Sequence, residues 1–392
     1  MNIHLLNTEA QTFINQNLNA NIAKLIFRGS PFSEVTIQEL VGQIEAKKKA
    51  KQKLPTWFSS KNIYYPNKIN IEQTSSEITA NYKANLIKGQ QIIDITGGFG
   101  IDSFAFAKRF ETVTHCEINK ELSDIANHNF KTLCVKNGKT INADGIIHLK
   151  EKNQQYDWIY IDPSRRNDAK GKVFLLEDCT PNVPKHLETS FQYSDNIMVK
   201  VSPMLDISSA VSELDYVKEI HVIAIQNEVK ELLFLLKKGY NKTIHTKTIN
   251  FTKNKRQTFS SDRVKKNEPA NLSKPLHYIY EPNSAILKAG LFNEVSHQLK
   301  IPKLNINSHL YTSNELIEFP GRVFKIVNQL PYNLKDLKKA LPNQKANITT
   351  RNFPETVAQI RKKTKIKEGG SHYLFFTKDT NERLIVLITC KV

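Results

Sequence analysis

Residues Ile92-Ile93-Asp94-Ile95-Thr96-Gly97-Gly98-Phe99-Gly100-Ile101-Asp102 decide the fold. A short apolar run ends in a carboxylate, a glycine-rich turn follows, and a helical pattern resumes, which reads as strand, tight turn and helix. Glycines at 97, 98 and 100 let the backbone take positive φ and come close to a ligand at the carboxyl edge of a sheet, where a side chain would block the approach. The same turn taken alone would also serve any tight strand-to-helix connection. Its surroundings carry the argument further. Apolar, β-rich runs at 92–95, 113–117, 139–143, 158–162, 197–201 and 221–226 are separated by amphipathic stretches, the rhythm of a doubly wound α/β sheet. They do not alternate apolar with polar, so the strands are expected to be buried on both faces, as a parallel sheet requires. Residues 231–238 fit a helix or a strand, and the strand is favoured because a hairpin with 242–251 would complete the sheet edge.

Outward from this core the pattern changes in both directions. Residues 1–88 read as helical, with Phe13, Leu18, Ile22, Leu25 and Ile26 spaced near 3.6, and the lysine run at 47–53 is expected on a solvated helix face. A second helical stretch spans 75–86. After residue 252 comes a polar basic stretch (253–274), then a second α/β region with strands expected at 278–280, 321–327, 373–377 and 384–389 and helices at 284–291 and 353–363. A chain of 392 residues with 40% hydrophobic residues can bury more than one core. No apolar run approaches the roughly 18 residues of a membrane span, and the N-terminus has no secretory pattern, so a cytoplasmic location is expected. Cys116, Cys134, Cys179 and Cys390 have neither metal-ligand nor disulfide spacing, and the eleven His show no paired-ligand spacing, so no metal site is expected.

The formal charge is +18, and 46 of the 56 basic residues are Lys. A global Lys bias would act on every segment alike, whereas residues 1–88 carry +5, residues 89–240 carry −3 and residues 241–392 carry +16. The excess is local to the C-terminal part, including Arg361-Lys362-Lys363 and Lys365, and points to a surface for an anionic partner.

Acids recur where the expected strands end. Asp94 closes the first, Glu117 the second, and Asp144 follows the third. In a doubly wound fold the acid after the second strand can accept both hydroxyls of a ribose. Asp144 could accept from an adenine amino group, and equally could cap a helix. Tyr160-Ile161-Asp162-Pro163-Ser164-Arg165-Arg166 follows the fourth strand, with Pro163 stiffening the loop, Asp162 able to accept from an amine, and an arginine pair in an Arg-poor chain. Asn227-Glu228 is a second choice near the reacting centre, or a turn.

These residues resemble the class I S-adenosylmethionine-dependent methyltransferases, through the 94–100 turn, Glu117, Asp144 and the 161–166 loop. More closely, the chain resembles a bacterial family of candidate RNA methyltransferases with a C-terminal THUMP-like domain, through Glu72-Gln73-Thr74-Ser75-Ser76-Glu77, Val201-Ser202-Pro203-Met204-Leu205-Asp206, Asn227-Glu228-Val229-Lys230-Glu231, Phe319-Pro320-Gly321-Arg322 and Arg351-Asn352-Phe353-Pro354. The resemblance implies a Rossmann-like domain at 89–275 behind a helical region at 1–88, a small ferredoxin-like region at 276–324 and a THUMP-like basic domain at 325–392. It implies S-adenosylmethionine as cofactor, with Asp94, Thr96, Gly97, Gly98 and Gly100 at its methionine end, Glu117 at the ribose, Asp144 at the adenine and Asp162 also at the cofactor. Asp162 and Pro163 then stand where amino-methylating enzymes keep an Asp/Asn-Pro-Pro-aromatic loop, although Ser164 and Arg165 depart from that pattern. The candidate catalytic set is Asp162, Pro163, Arg165 and Asn227. The resemblance leaves the substrate open; the expected reaction is methyl transfer to a base nitrogen of structured RNA, tRNA or rRNA, with a methyltransferase acting on a protein or small molecule, or a non-catalytic RNA-binding module that keeps the fold, as the alternatives. Methyl transfer from a sulfonium is an in-line displacement that needs no metal.

Overall fold

The computed structural model describes residues 1–165, 175–263, 268–341 and 343–392. They divide into two units, Met1–Lys218 with Leu233–Asn241, and Glu219–Leu232 with Lys242–Val392.

In the first unit the apolar runs form β1 (Gln91–Asp94), β2 (Thr112–Glu117), β3 (Gly138–Asn142) and β4 (Trp158–Ile161); after the two-residue strands β5 (Ser164–Arg165) and β6 (Cys179–Thr180) comes β7 (Asn196–Val201). β1 pairs in parallel with β2 on one side and β4 on the other; β3 lies outside β2 and β7 outside β4. The chain moves from β1 through β2 to β3, then returns to the far side of β1. That reversal leaves a topological switch point between β1 and β4, and in open α/β sheets ligands bind outside the carboxyl ends of the strands at such a point. Ile92, Ile93, Val113, Ile159, Ile197 and Val199 are buried, as runs without alternation require.

The N-terminal region is helical, at Thr8–Gln16, Ile22–Arg28, Ile37–Lys53, Pro55–Ser59, Lys68–Gln73 and Glu77–Leu86. The helix Ile37–Lys53 opens with a capping box, Thr36 Oγ1 accepting from the Glu39 N–H and Glu39 accepting from the Thr36 N–H. Lys47 corrects the solvated-face expectation. It falls in register with Leu40 and Ile44 on the inner face, is 6% exposed, and lies over the Phe58 ring. Trp57, fully buried, packs its indole against Phe99 (centroids 4.6 Å) and Phe104 (5.6 Å), so the helical region braces the glycine turn.

β8 (Val217–Ile225), in the second unit from Glu219 on, turns through Gln226 and Asn227 into β9 (Glu228–Lys237), which belongs to that unit as far as Leu232. Both turn residues have positive φ (51° and 64°), the requirement of a type I′ hairpin. β10 (His245–Phe251) pairs in parallel with β8 and antiparallel with β11 (Arg256–Asp262). The strand at 231–238 is therefore present, but its hairpin partner is β8 rather than 242–251, and β10 makes its own hairpin with β11. The basic stretch 253–274 contains β11, and its residues 264–267 lie outside the described ones.

A separate six-stranded sheet follows in the order β13-β12-β14-β17-β16-β15, formed by β12 (Tyr278–Pro282), β13 (Tyr311–Ser313), β14 (Gly321–Pro331), β15 (Asn347–Thr350), β16 (His372–Lys378) and β17 (Leu384–Lys391). Successive side chains on a strand point to opposite faces, and β16 and β17 serve two cores in that way. Phe375 and Leu387 join Ile279, Leu304 and Phe324 in one cluster, while Leu374, Phe376, Val386 and Ile388 join Leu337 and Ile360 in the other. Leu337 and Ile360 come from the helices Leu334–Ala340 and Val357–Thr364, whose remaining positions are rich in Lys.

Candidate active site

Asp94 closes β1 at the switch point and is 1% exposed. Its Oδ1 accepts from the Thr96 N–H at 3.0 Å and the Thr96 hydroxyl at 3.3 Å, and its Oδ2 accepts from Ser103 Oγ at 2.7 Å. Burial pushes this carboxyl up to about 7, against the pull of those hydrogen bonds and with the negative charges of Asp102 and Asp162 adding to it. Thr96 Oγ1 in turn accepts from the Asp162 N–H at 2.7 Å, which ties the end of β1 to the end of β4.

The glycine turn lies directly over His115. A Cβ built on Gly97 would stand 2.3 Å from His115 Nε2, so no side chain fits there. His115 is fully buried, and burial first of all pushes its imidazole down to about 4, which keeps it neutral. Gly98, at φ 56°, turns its N–H to Glu117 Oε2 at 2.8 Å; Glu117 Oε1 accepts from the Asn119 N–H at 2.7 Å. Two backbone donors thus fix the carboxylate at the end of β2, and each oxygen keeps a further lone pair for a ligand. Asp144 caps the helix Gly145–Lys152 through Oδ1, which accepts from the Ile147 N–H at 3.0 Å. The parallel registers Asp94↔His115 and Glu117↔Asn142 bring the three acids to one edge of the sheet.

Beneath this edge lies a buried network of residues distant in sequence. Asp102 Oδ2 accepts from Ser75 Oγ at 2.8 Å and from Tyr160 OH at 2.9 Å, and Asp102 Oδ1 is 3.1 Å from Lys83 Nζ, whose side chain is fully buried. Burial opposes ionisation of Asp102, but Lys83, then Lys200, and the Ser75 hydroxyl hold its carboxyl below the ordinary value. Asp162 Oδ2 pairs with Lys200 Nζ at 2.6 Å. Loss of solvation raises the Asp162 carboxyl, and Lys200 opposes it. Sequence reading missed Lys83, Asp102 and Lys200. The signal available for Asp102 was its place in the first turn of the helix after the glycines; Lys83 read as an ordinary helix lysine. The 72–77 motif is explained here: Ser75 reaches Asp102, Ser76 caps the helix Glu77–Leu86, and Glu77 accepts from Thr56 at the start of the helix Pro55–Ser59.

Pro163 is buried and Ser164 exposed, while the Arg165 side chain and Arg166 lie outside the described residues. Asn227 belongs to the other unit, at the β8–β9 turn, where its Oδ1 accepts from the Ser284 N–H at 2.8 Å and its own N–H donates to Asn250 Oδ1 at 2.9 Å. Those bonds give it a turn and capping role. Among the described residues no three His, Cys, Asp or Glu gather as a metal-ligand group, and no helix is long and apolar enough to cross a membrane. The carboxylates at the β1–β4 edge suit a cationic ligand that also carries hydroxyl and amino donors.

Comparison with known proteins adds four findings. A family model described as a ferredoxin-like domain matches residues 278–320, and one described as THUMP domain-like matches 321–391. A crystal structure of a candidate methyltransferase from Porphyromonas gingivalis W83 superposes with a TM-score of 0.86 at 30% identity, covering 97% of each chain. An uncharacterized RNA methyltransferase of Mycoplasma mobile is 28% identical over 154 residues, which is 38% of this chain and 42% of that protein, so the match spans less than half of that relative's length.

Proposed function

The chain belongs to the family of candidate methyltransferases with ferredoxin-like and THUMP-like domains that the Porphyromonas gingivalis structure represents, and on that premise we propose that it transfers the methyl group of S-adenosylmethionine to a base nitrogen of structured RNA, tRNA or rRNA. One observation carries the reading: Thr96 joins Asp94 and Asp162 at the switch point of a parallel sheet, beside a glycine turn that admits no side chain. The residues present fit the cofactor. Asp94, Thr96, Gly97, Gly98 and Gly100 would hold its methionine end, Glu117 its ribose hydroxyls and Asp144 its adenine. When bound, S-adenosylmethionine supplies a sulfonium-activated methyl group.

The protein's own contribution is alignment and a place for a proton. Asp162 is fixed by its backbone bond to Thr96 and its side-chain pair with Lys200, which leaves Oδ1 to orient the target nitrogen and accept from its N–H. Pro163 stiffens the segment that follows. The domain limits we propose are 1–88, 89–275, 276–324 and 325–392, with the basic C-terminal part holding RNA by its backbone. Titration calorimetry with S-adenosylmethionine tests the cofactor, and mass spectrometry of total-RNA nucleosides with and without the gene tests the substrate. An unchanged nucleoside profile would overturn the RNA reading, and failure to bind S-adenosylmethionine would overturn the enzyme reading.

A further inference from the structure

The two C-terminal motifs converge on one buried acid. Glu281 sits in β12, 3% exposed, directly opposite Arg322 in the antiparallel register of β12 with β14. Arg322 Nε donates to Glu281 Oε2 at 2.6 Å and its Nη2 reaches the same oxygen; Arg351 Nη2 donates to Glu281 Oε1 at 2.6 Å. The backbone around them is fixed. A Cβ on Gly321 would stand 2.0 Å from the Glu281 carbonyl oxygen, the Arg351 N–H donates to the Phe376 carbonyl at 2.9 Å, and Asn352, at φ 50°, donates from Nδ2 to Asn305 Oδ1 at 3.0 Å.

A buried carboxylate needs one cation, and this one has two, so the cluster carries a net positive charge. Lys303 adds to the positive field, and its charge and that of Arg351 are felt at His309, whose imidazole burial first of all pushes down to about 4, so that His309 itself stays neutral. Each guanidinium has five N–H donors. Arg322 directs Nε and Nη2 at Glu281, while Arg351 spends Nη2 on Glu281 and Nη1 on the Thr350 carbonyl. The donors left over belong to side chains 41% and 36% exposed. In a chain with 46 Lys and ten Arg, two of the ten meet at one acid, which marks a need for the planar fork rather than for charge alone.

We propose that Arg322 and Arg351, spaced by Glu281, form an anchor for backbone phosphates of the RNA, with Glu281 as the positioning residue. The proposal rests on RNA being the substrate. The test titrates full-length protein with a fluorescently labelled RNA hairpin between about 50 and 200 mM salt. The E281Q/R322Q/R351Q variant removes the buried charge together with both cations, so no ion is left unpaired. It is expected to raise Kd at least tenfold and to reduce the slope of log K against log salt by about 1.8, roughly 0.9 per lost phosphate contact. Thermal unfolding and S-adenosylmethionine calorimetry check each variant, and if the triple variant does not fold, R322K/R351K decides, with weaker binding at an unchanged slope expected. Wild-type Kd and slope in the deciding variant would overturn the anchor and leave the cluster a structural staple. A wild-type protein that ignores the hairpin would instead strike the RNA reading on which the anchor depends.

Discussion

Asp94 gives the sharpest prediction, because its carboxyl combines nearly complete burial with a value that falls inside the working pH range. Its carboxyl is raised from 3.8 to about 7, and burial is the largest cause. In the unfolded chain the same group ionises near pH 4. Between about pH 4 and about pH 7 the folded protein therefore holds a proton that the unfolded chain has lost, and stability falls as pH rises through that window. At ~1.4 kcal/mol per unit the full loss is about 4 kcal/mol above pH 7. Asp94→Asn removes the titration and keeps the geometry: its oxygen can still accept from Thr96, and the Ser103 hydroxyl can rotate to accept from the new amide. Urea unfolding of both proteins without cofactor, from about pH 4 to about pH 8, reads the difference, and other titrating groups cancel between them. The variant is expected to gain on the wild type steadily through the window, approaching about 4 kcal/mol at the alkaline end. A difference that does not change with pH, or that runs the other way, would refute burial as the origin of the shift.

Three further substitutions probe the rest of the site. Lys83→Met leaves Asp102 buried with Ser75 and Tyr160 but without its cation, and should lower stability by about 3–5 kcal/mol in urea unfolding, with part recovered in K83M/D102N. Gly97→Ala drives a methyl group into the His115 ring and should lower stability by about 1–3 kcal/mol while abolishing S-adenosylmethionine binding by calorimetry; an unchanged Tm would mean that the turn has room. Glu117→Ala frees the Gly98 and Asn119 N–H groups and should weaken S-adenosylmethionine binding at least tenfold, whereas wild-type affinity would remove Glu117 from the ribose site.

The legible parts of this molecule are those whose cause is local. An apolar run without alternation announces a strand covered on both faces, and a carboxylate before three glycines announces the end of such a strand, so β1 to β4, β7 and the acids at their edge follow from short windows. The Asp102 network is not local. It joins positions 75, 83, 102 and 160, and nothing around Lys83 distinguishes a fully buried lysine from a surface one until the helix Glu77–Leu86 is placed against the helix Ile101–Phe106. Lys47 and Glu281 were hidden for the same reason. The misread hairpin has a different origin. Gln226-Asn227 contains no glycine, so the turn that joins β8 to β9 carried a weak signal, although Asn accepts the left-handed conformation more readily than most residues and both positions adopt it.

The charges at this edge add up to a reason for the state of Asp94. Asp102 is matched by Lys83 and Asp162 by Lys200, whereas Asp94, among the described residues, has neutral hydrogen-bond donors and no ion-pair partner. Two matched pairs and one unmatched carboxylate leave a buried site one positive charge short, and without a ligand the least demanding remedy is to hold a proton, which is what a value near 7 expresses. A ligand that brings a cation to this edge would make the proton unnecessary. Binding of S-adenosylmethionine to the wild type should then release a proton and strengthen with rising pH up to about 7, while Asp94→Asn should bind more weakly and lose that pH dependence. Calorimetry in two buffers of different ionisation enthalpy measures the proton directly, and a wild-type protein that releases none would show that the missing charge at Asp94 is not supplied by the cofactor.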